Sequence, residues 1–209
     1  MFFLVFMNIS SELIKRLREQ TGAGILSCKN ALVETGGNFE KAVEILKLKG
    51  LATAEKKSLR TTQQGIIVSY IHAGSKIGVM LELNCETDFV ARRIEFQTLA
   101  KELAMQVAAG DNLTYVRFED IPESLWQKER NFESQREDIL QKPKNVQDSI
   151  IQGRVEKNLR NLALFDQYCI RYPELKVEEL VKNHIALLGE NIQVRRFVKF
   201  ILGENQPKE

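Results

Sequence analysis

Thiol and imidazole side chains offer the most direct chemistry in a sequence, and this chain has few of them. The three cysteines, Cys28, Cys85 and Cys169, form no CxxC pair, and the two histidines, His72 and His184, lie far apart. Zinc takes several such ligands at short spacings, so we predict no metal or cofactor site. A distant Cys–His pair can meet in a fold as a nucleophile, but no motif here supports one. The odd, unpaired cysteine count favours a reducing compartment.

A more informative stretch is Asn84-Cys-Glu-Thr-Asp-Phe-Val-Ala-Arg92, which lies where a predicted strand passes into a predicted helix. Thr87 or Asp88 can cap that helix, and a carboxylate there complements the helix dipole. With Phe89 in the first turn, the simplest interpretation is a cap followed by a buried aromatic ring. The alternative is a wedge, a carboxylate beside an exposed ring that fits a partner's pocket. The pattern leaves both open, and local physics alone favours the first.

A loop with two glycines, Thr21-Gly-Ala-Gly24, precedes another predicted helix. Loops that cradle phosphates have a longer glycine pattern or a following Lys-Ser/Thr pair, and this loop has neither. A tight turn between two helices is therefore the favoured interpretation.

The charge balance argues against a protein built around nucleic-acid phosphates. Lys and Arg number 30, Asp and Glu number 28, and the net charge is +2, whereas nucleic-acid-binding domains usually carry a strongly basic face. Arg195 and Arg196 beside Phe197 and Phe200 could stack on bases, but a strand whose arginines face solvent or a partner is the simpler interpretation. We expect no direct nucleic-acid partner, and a ribosome- or RNA-associated protein remains the alternative.

Composition favours a soluble globular protein without a membrane partner. Hydrophobic residues make up 44% and charged residues 28% of the 209 residues, enough to bury a core. The apolar run at residues 1–7 is far shorter than the ~20 residues of a membrane helix. It also has no basic region or cleavage site of a signal peptide, so we expect synthesis in the compartment where the protein works. The sequence leaves open whether Met1 or Met7 is the start.

Apolar residues at helical spacing predict three short helices within residues 8–50. Ser10 or Ser11 can cap the first helix, and Asn38 can cap the third, which is expected to end at Lys49-Gly50. Helices this short are marginal alone, so they are expected to pack as a compact three-helix bundle.

The pattern then changes to that of a sheet covered by helices. Two β-branched segments joined by the turn Ala73-Gly-Ser-Lys76 predict a β-hairpin. A hairpin alone is barely stable, so the strand-like C-terminal segment is expected to be its third strand. Strands are predicted at 65–72, 77–84 and 191–202, and helices at about 88–109, 146–165 and 177–188. The predicted fold class is α+β, with a three-stranded antiparallel sheet and helices on one face.

These elements predict the domain boundaries. We expect a three-helix module over 1–50, a polar and partly helical linker over 51–63, a core over 64–203 and a tail over 204–209. Within the core, residues 118–145 are highly charged and helical in composition, and the favoured interpretation is a solvated helical excursion.

Three separated motifs resemble the elongation factor Ts family. They lie in the family's order along the chain, which makes the resemblance more specific than any one motif. The motifs are Leu13-Ile-Lys-Arg-Leu-Arg-Glu-Gln-Thr-Gly-Ala-Gly24 with Cys28-Lys29, then Tyr70-Ile-His72 through Asn84-Cys-Glu-Thr-Asp-Phe-Val90, and Gly189-Glu-Asn-Ile-Gln-Val-Arg-Arg-Phe197.

The resemblance implies a translation factor that exchanges guanine nucleotides on elongation factor Tu. It would bind that partner in the GDP-bound and nucleotide-free states. It assigns magnesium dislocation in the partner to Thr87, Asp88, Phe89 and Val90, with Asp88 and Phe89 pushing between helices near the nucleotide. Because the magnesium–phosphate interaction is strongly electrostatic, a small shift there would release GDP and let GTP rebind. No covalent chemistry is implied, so the chain would not be an enzyme with a reactive residue.

The resemblance also implies a ubiquitin-associated-like N-terminal module that docks on the partner's nucleotide-binding domain. Arg18, Thr21, Gly22 and Gly24 are the residues assigned to this contact. The motif departs from the family where Ile25-Leu-Ser27 replaces the frequent Met-Met-Asp, which puts details of the contact in doubt.

The length resembles the shorter form of the family, which has one core subdomain where longer members have two. A second copy of the chain could supply the missing contact surface, so the resemblance is compatible with a homodimer. The sequence most resembles cyanobacterial and plastid members of the family. This implies that the protein is located in the plastid (chloroplast) stroma, with the bacterial cytoplasm as the alternative.

Overall fold

The computed structural model describes residues 9–204, and its N-terminal part is the predicted three-helix module. The helices are α1 (Ser11–Thr21), α2 (Ile25–Glu34) and α3 (Phe39–Lys57). Ser10 caps α1 and Asn38 caps α3, each by accepting a hydrogen bond from the backbone N–H three residues later. The module has its own core, formed by Leu17, Cys28, Ala31, Leu32, Ala42 and Leu46. The expectations about residues 1–8 and 205–209 lie outside the described residues.

The core contains the predicted antiparallel sheet in the order β1 (Gln64–Ile71), β2 (Ile77–Cys85), β3 (Ile192–Ile201). The α+β fold class is thereby confirmed. Alternate β2 residues point to opposite faces, so Val79, Leu81 and Leu83 are buried while Met80 is exposed. The buried face is covered by α4 (Asp88–Ala91), α5 (Ile94–Ala109) and α9 (Val177–Leu188).

The single helix predicted over 88–109 is two helices, α4 and α5, separated at Arg92 and Arg93. Arg93 has an extended backbone, with φ −69° and ψ 140°, and acts as the N-cap of α5. Val90 of α4 and Phe96 of α5 are both buried. Six positions along one continuous helix would rotate a side chain by about 240°, and the break lets α4 and α5 each direct an apolar residue into the core.

The third helix was expected to end at Lys49-Gly50, but α3 continues to Lys57. Gly50 is accommodated because it lies against α9, where a Cβ on the glycine would be 3.2 Å from Cβ of Ala186. Close helix packing offsets the roughly 1 kcal/mol that an interior glycine costs a helix. The added turns bury Ala54 in the core beneath the sheet. Most of the segment expected as a linker therefore belongs to a helix shared by both cores.

The charged segment predicted as a solvated excursion is a packed unit, which we call the helical lobe (residues 121–160). It comprises α6 (Glu123–Ser134), α7 (Glu137–Leu140) and α8 (Lys144–Arg160). The sequence pattern did not indicate this packing, because the apolar residues of the lobe core come from several short elements. The buried apolar residues of the lobe are Ile121, Ile139, Ile151, Val155 and Leu159.

A buried carboxylate also ties the helical lobe together. Glu133 is 1% exposed, and its carboxylate lies 3.4 Å from the guanidinium groups of both Arg136 and Arg154. Arg154 also contacts Asp138 at 2.5 Å, and this hydrogen bond lowers the pKa of Asp138 to about 2. Several charged side chains of the lobe therefore pair with one another, and these ion pairs link α6, α7 and α8.

Candidate functional site

The junction between β2 and α4 carries the residues that the sequence singled out. Thr87 is the N-cap of α4, and its hydroxyl oxygen accepts a hydrogen bond from the backbone N–H of Val90 at 3.4 Å. The Sγ–H group of Cys85 donates to the carbonyl oxygen of Thr87 at 3.1 Å. Val90 and Ala91 are buried in the core. The first turn of α4 is thus anchored by its cap and by its two buried C-terminal residues.

Phe89 points away from that anchor. Its side chain is 78% exposed, so the simplest interpretation of the sequence, a cap followed by a buried ring, is wrong. The ring cannot turn inward because its neighbours Val90 and Ala91 occupy the inward-facing positions of a one-turn helix. The exposed ring on this anchored turn is accessible to a partner. The tip, by which we mean residues 87–90, therefore projects an aromatic side chain.

Asp88 precedes Phe89 in the tip and makes one ion pair within α4 and its C-cap. Its carboxylate accepts a hydrogen bond from the Arg92 guanidinium at 2.8 Å, four positions further along the chain. The Arg92 side chain is largely exposed and that of Asp88 is about half exposed, and solvent-exposed pairs of this kind contribute at most about 1 kcal/mol. The pair therefore orients the carboxylate weakly, and a stronger partner can take it over.

A second carboxylate lies behind the tip, from the connection between α9 and β3. Oε2 of Glu190 accepts hydrogen bonds from the backbone N–H groups of Glu86, at 3.1 Å, and Thr87, at 3.0 Å. Its Oε1 accepts a hydrogen bond from the Thr87 hydroxyl at 2.6 Å. Glu190 had no predicted role. It lies within the third motif, but it is 103 positions from Thr87, and local spacing cannot reveal that contact.

Glu86 makes the reciprocal connection. Its Oε1 accepts a hydrogen bond from the backbone N–H of Asn191 at 2.7 Å, and its carboxylate lies 3.6 Å from the Arg60 guanidinium. The buried Asn191 amide donates to the carbonyl oxygens of Ser58 and Arg60, at 3.1 and 2.7 Å. The start of the tip is thereby linked to the chain segment that follows α3.

Cys85 takes part in this site as a neutral thiol. Burial raises its pKa to about 11, and the nearby negative charge of Glu190 adds to the effect. The thiol therefore stays protonated near neutral pH and can donate to Thr87. A raised pKa removes the thiolate that nucleophilic catalysis needs.

Three of the four residues predicted for the N-terminal contact lie together between the module and α9. Thr21, Gly22 and Gly24 line a cleft of about 240 Å³ that Leu187 closes on the other side. The Thr21 hydroxyl donates to the carbonyl oxygen of Leu17 at 2.7 Å. Arg18 is exposed on α1 and does not line this cleft. Leu187 lies three positions before Glu190, so both candidate surfaces adjoin the C-terminal end of α9.

The exposed arginines of β3 match the simpler interpretation of the sequence. Arg195 is the extra residue of a β-bulge, because Arg196 pairs with Glu82 while Val194 pairs with Leu83. Arg196 also contacts the Glu82 carboxylate at 2.8 Å. Both arginine side chains face solvent.

Residues 9–204, which the structure describes, show neither a metal-binding cluster nor a membrane-spanning helix. Within this range, no three His, Cys, Asp or Glu side chains are grouped closely enough to hold a metal ion. The helices of the same range are too short or too polar to cross a membrane.

The sequence is similar to those of known proteins from one family. Residues 5–204 match the family model described as elongation factor TS. The chain is 55% identical to elongation factor Ts of Gloeothece citriformis, over 97% of this chain and 71% of the relative. It is 52% identical to the chloroplastic elongation factor Ts of Guillardia theta, over 97% of this chain and 92% of the relative. Elongation factor Ts of Synechococcus elongatus is also 52% identical, over 96% and 91%. The chain therefore belongs to the elongation factor Ts family, the translation elongation factors that exchange the nucleotide of elongation factor Tu.

Proposed function

We propose that the tip disturbs the magnesium and phosphate site of GDP-bound elongation factor Tu, so that GDP leaves and GTP can rebind. The observation that supports this most directly is the exposed Phe89 ring beside the Asp88 carboxylate on an anchored turn. An aromatic ring supplies apolar contact area, and a carboxylate competes for the groups around a cation. No bond to this chain forms or breaks in such a step, so the protein acts through binding energy alone.

The four residues of the tip have two different roles in this proposal. Thr87 and Val90 hold the turn, since Thr87 caps α4 and Val90 is buried. Asp88 and Phe89 project from the turn and make the contact. Linkage requires that a factor which weakens nucleotide binding is itself weakened by nucleotide to the same degree, so GTP binding completes the cycle by releasing the factor.

The N-terminal module is proposed as a separate docking surface for the partner's nucleotide-binding domain. Arg18 is exposed on α1, and Ile25 and Leu26 expose apolar side chains at the start of α2. Gly24 lies directly before these residues as the N-cap of α2. Exposed apolar side chains and arginines are both typical of protein interfaces.

The test of the tip is the double variant Asp88→Ala with Phe89→Ala, measured by release of a fluorescent GDP from elongation factor Tu. We expect stimulated release to be nearly abolished while binding of the partner persists through the module. The matched control is Ile94→Ala, which removes an exposed apolar side chain at the start of α5, outside the tip. If the double variant stimulates release as well as the parent does, the role of the tip is disproved.

The outer face of the sheet is proposed to pair with the same face of a second copy. Ile67, Ile71, Met80, Val198 and Phe200 are exposed on it. Met80 pairs with Val198 on the neighbouring strand, and Gly78 pairs with Phe200, so these side chains form one apolar surface. A monomer rarely leaves such a surface uncovered, and two antiparallel sheets can pack face to face.

The homodimer is tested by Met80→Lys and Phe200→Lys in sedimentation experiments. We expect both variants to sediment as monomers at concentrations where the parent is dimeric. Ile170→Lys is the control, because Ile170 is also half exposed but lies between α8 and α9 and is not part of the sheet. A parent that is monomeric at all concentrations would contradict the homodimer.

We place the protein in the plastid stroma, with bacterial cytoplasm as the alternative. The relatives described above include both a chloroplastic protein and cyanobacterial proteins. Neither nucleic acid nor a membrane is part of the proposed cycle. Weak, salt-insensitive retention on RNA would agree with this, since phosphate contacts make binding steeply salt-dependent.

A further inference from the structure

We propose that Glu190 is a positioning residue for nucleotide exchange, because its carboxylate fixes the backbone from which Asp88 and Phe89 project. This inference rests on the proposed role of the tip. It adds a residue that lies outside the tip and acts through it.

The geometry concentrates the hydrogen bonds of Glu190 on two consecutive residues. Its carboxylate accepts the backbone N–H groups of Glu86 and Thr87 and the hydroxyl of Thr87, at 3.1, 3.0 and 2.6 Å. Hydrogen bonds to an ionised acceptor are about twice as strong as neutral ones. Asp88 follows immediately, so these three bonds determine the direction in which α4 begins.

The tip needs this external support because α4 is too short to be rigid by itself. It spans Asp88–Ala91, a single turn, and isolated helices shorter than about 12 residues are marginal in water. Val90 and Ala91 anchor the inner side of the turn. The chain entering the turn is held by the side chain of Glu190.

Glu190 is itself held on both sides. Gly189 ends α9 in a left-handed conformation with φ 79°, and its N–H donates to the carbonyl oxygen of Ile185. The Lys57 ammonium, at the end of α3, donates to the carbonyl oxygen of Gly189. On the other side, Asn191 donates from its backbone to Glu86 at 2.7 Å. The carboxylate therefore projects from a connection with little freedom.

The sheet does not depend on Glu190 for its register. Cys85 of β2 already pairs with Ile192 of β3, and the ladder continues from there to Ile77. Removing the Glu190 carboxylate leaves these backbone pairs in place and frees only residues 86–87. We therefore expect a loosened tip on an intact fold, which is what distinguishes a positioning residue from a structural one.

The experiment measures the rate of GDP release against the concentration of the partner's GDP complex for Glu190→Ala and Glu190→Gln. For Glu190→Ala we expect the maximal rate to fall about tenfold, since misplacing a reacting group by about 1 Å can cost on the order of 100-fold. The half-saturating concentration should change less than about twofold, because docking through the module is unaffected. Glu190→Gln should recover most of the rate, since its amide oxygen can accept both N–H groups and its nitrogen can donate to Thr87.

Glu102→Ala is the matched control, because Glu102 makes a 2.6 Å ion pair with Arg171 away from the tip. It should keep the parental maximal rate. A second arm combines Glu190→Ala with Phe89→Ala. In the Phe89→Ala background, Glu190→Ala should lower the maximal rate of GDP release by a much smaller factor than in the parent. If Glu190→Ala does not fold, Glu190→Asp, which keeps the charge but shortens the reach, takes its place in both arms.

The outcomes separate this inference from the proposed function. A normal maximal rate for Glu190→Ala, with exchange lost in the Asp88→Ala, Phe89→Ala variant, overturns the positioning role and leaves the tip assignment standing. Full activity in both variants overturns the proposed function. An equal loss with and without the Phe89 ring, or a rise in the half-saturating concentration alone, also overturns the positioning role.

Discussion

Gly22 lies directly against Leu187, so that a Cβ on the glycine would be 2.5 Å from Cδ1 of the leucine. Gly22 also ends α1 with φ 67°, a left-handed conformation that favours glycine. The contact joins the N-terminal module to α9. The loop at residues 21–24 therefore sets how the module sits on the core, in addition to its proposed role in docking.

Gly22→Ala is expected to lower the free energy of unfolding by about 1–3 kcal/mol, because the methyl group adds backbone strain and overpacks Leu187. Urea denaturation measures the loss. Gly24→Ala is the control within the same loop, since Gly24 has φ −60° and a Cβ there would meet the Ser27 hydroxyl at a comfortable 3.9 Å. A Gly22→Ala variant as stable as Gly24→Ala would contradict the close fit.

Glu133→Ala is expected to destabilise the helical lobe by about 1–3 kcal/mol. Removing one member of a buried ion pair leaves its partners uncompensated, but Arg136 and Arg154 are partly exposed and can regain water. Hydrogen exchange should therefore quicken in residues 121–160 more than in the sheet. Lys128→Ala, which removes an exposed charge from the same helix, should leave exchange nearly unchanged. Equal protection in the two variants would show that the buried carboxylate is unimportant.

Stability is expected to fall as pH rises from about 9 to 11. Burial raises the pKa of both Cys85 and Cys169 to about 11, whereas the ordinary value is 9.0. Between pH 9 and pH 11 the folded chain retains thiol protons that the unfolded chain releases. The contribution of each thiol to the free energy of unfolding is therefore intact below pH 9 and is lost towards pH 11. The loss is on the order of 2 kcal/mol per thiol. Urea unfolding of the parent and of Cys85→Ala across this pH range measures the loss. If the free energy of unfolding falls with pH equally steeply in both proteins, the predicted contribution of Cys85 is refuted.

The sequence by itself determined the parts of this protein that depend on local pattern. Strands alternate with a period of two and helices with a period near 3.6, so the hairpin, the third strand and helix α9 at residues 177–188 could be predicted closely. Three ordered motifs identified the family. Residue type and position narrowed the cap of α4 to Thr87 or Asp88, and the structure shows that it is Thr87.

The tertiary structure decided what depends on contacts between distant residues. Local pattern favoured a buried Phe89, but Val90 and Ala91 occupy the inward positions of the turn and leave the ring exposed. Gly50 reads as a helix end, yet packing against Ala186 carries α3 through it. Glu190 is an ordinary acidic residue in the sequence, and only the approach of the α9–β3 connection to β2 brings it to Thr87. Spacing along a chain encodes neighbours within a few residues, whereas a contact across 103 positions exists only once the sheet has paired.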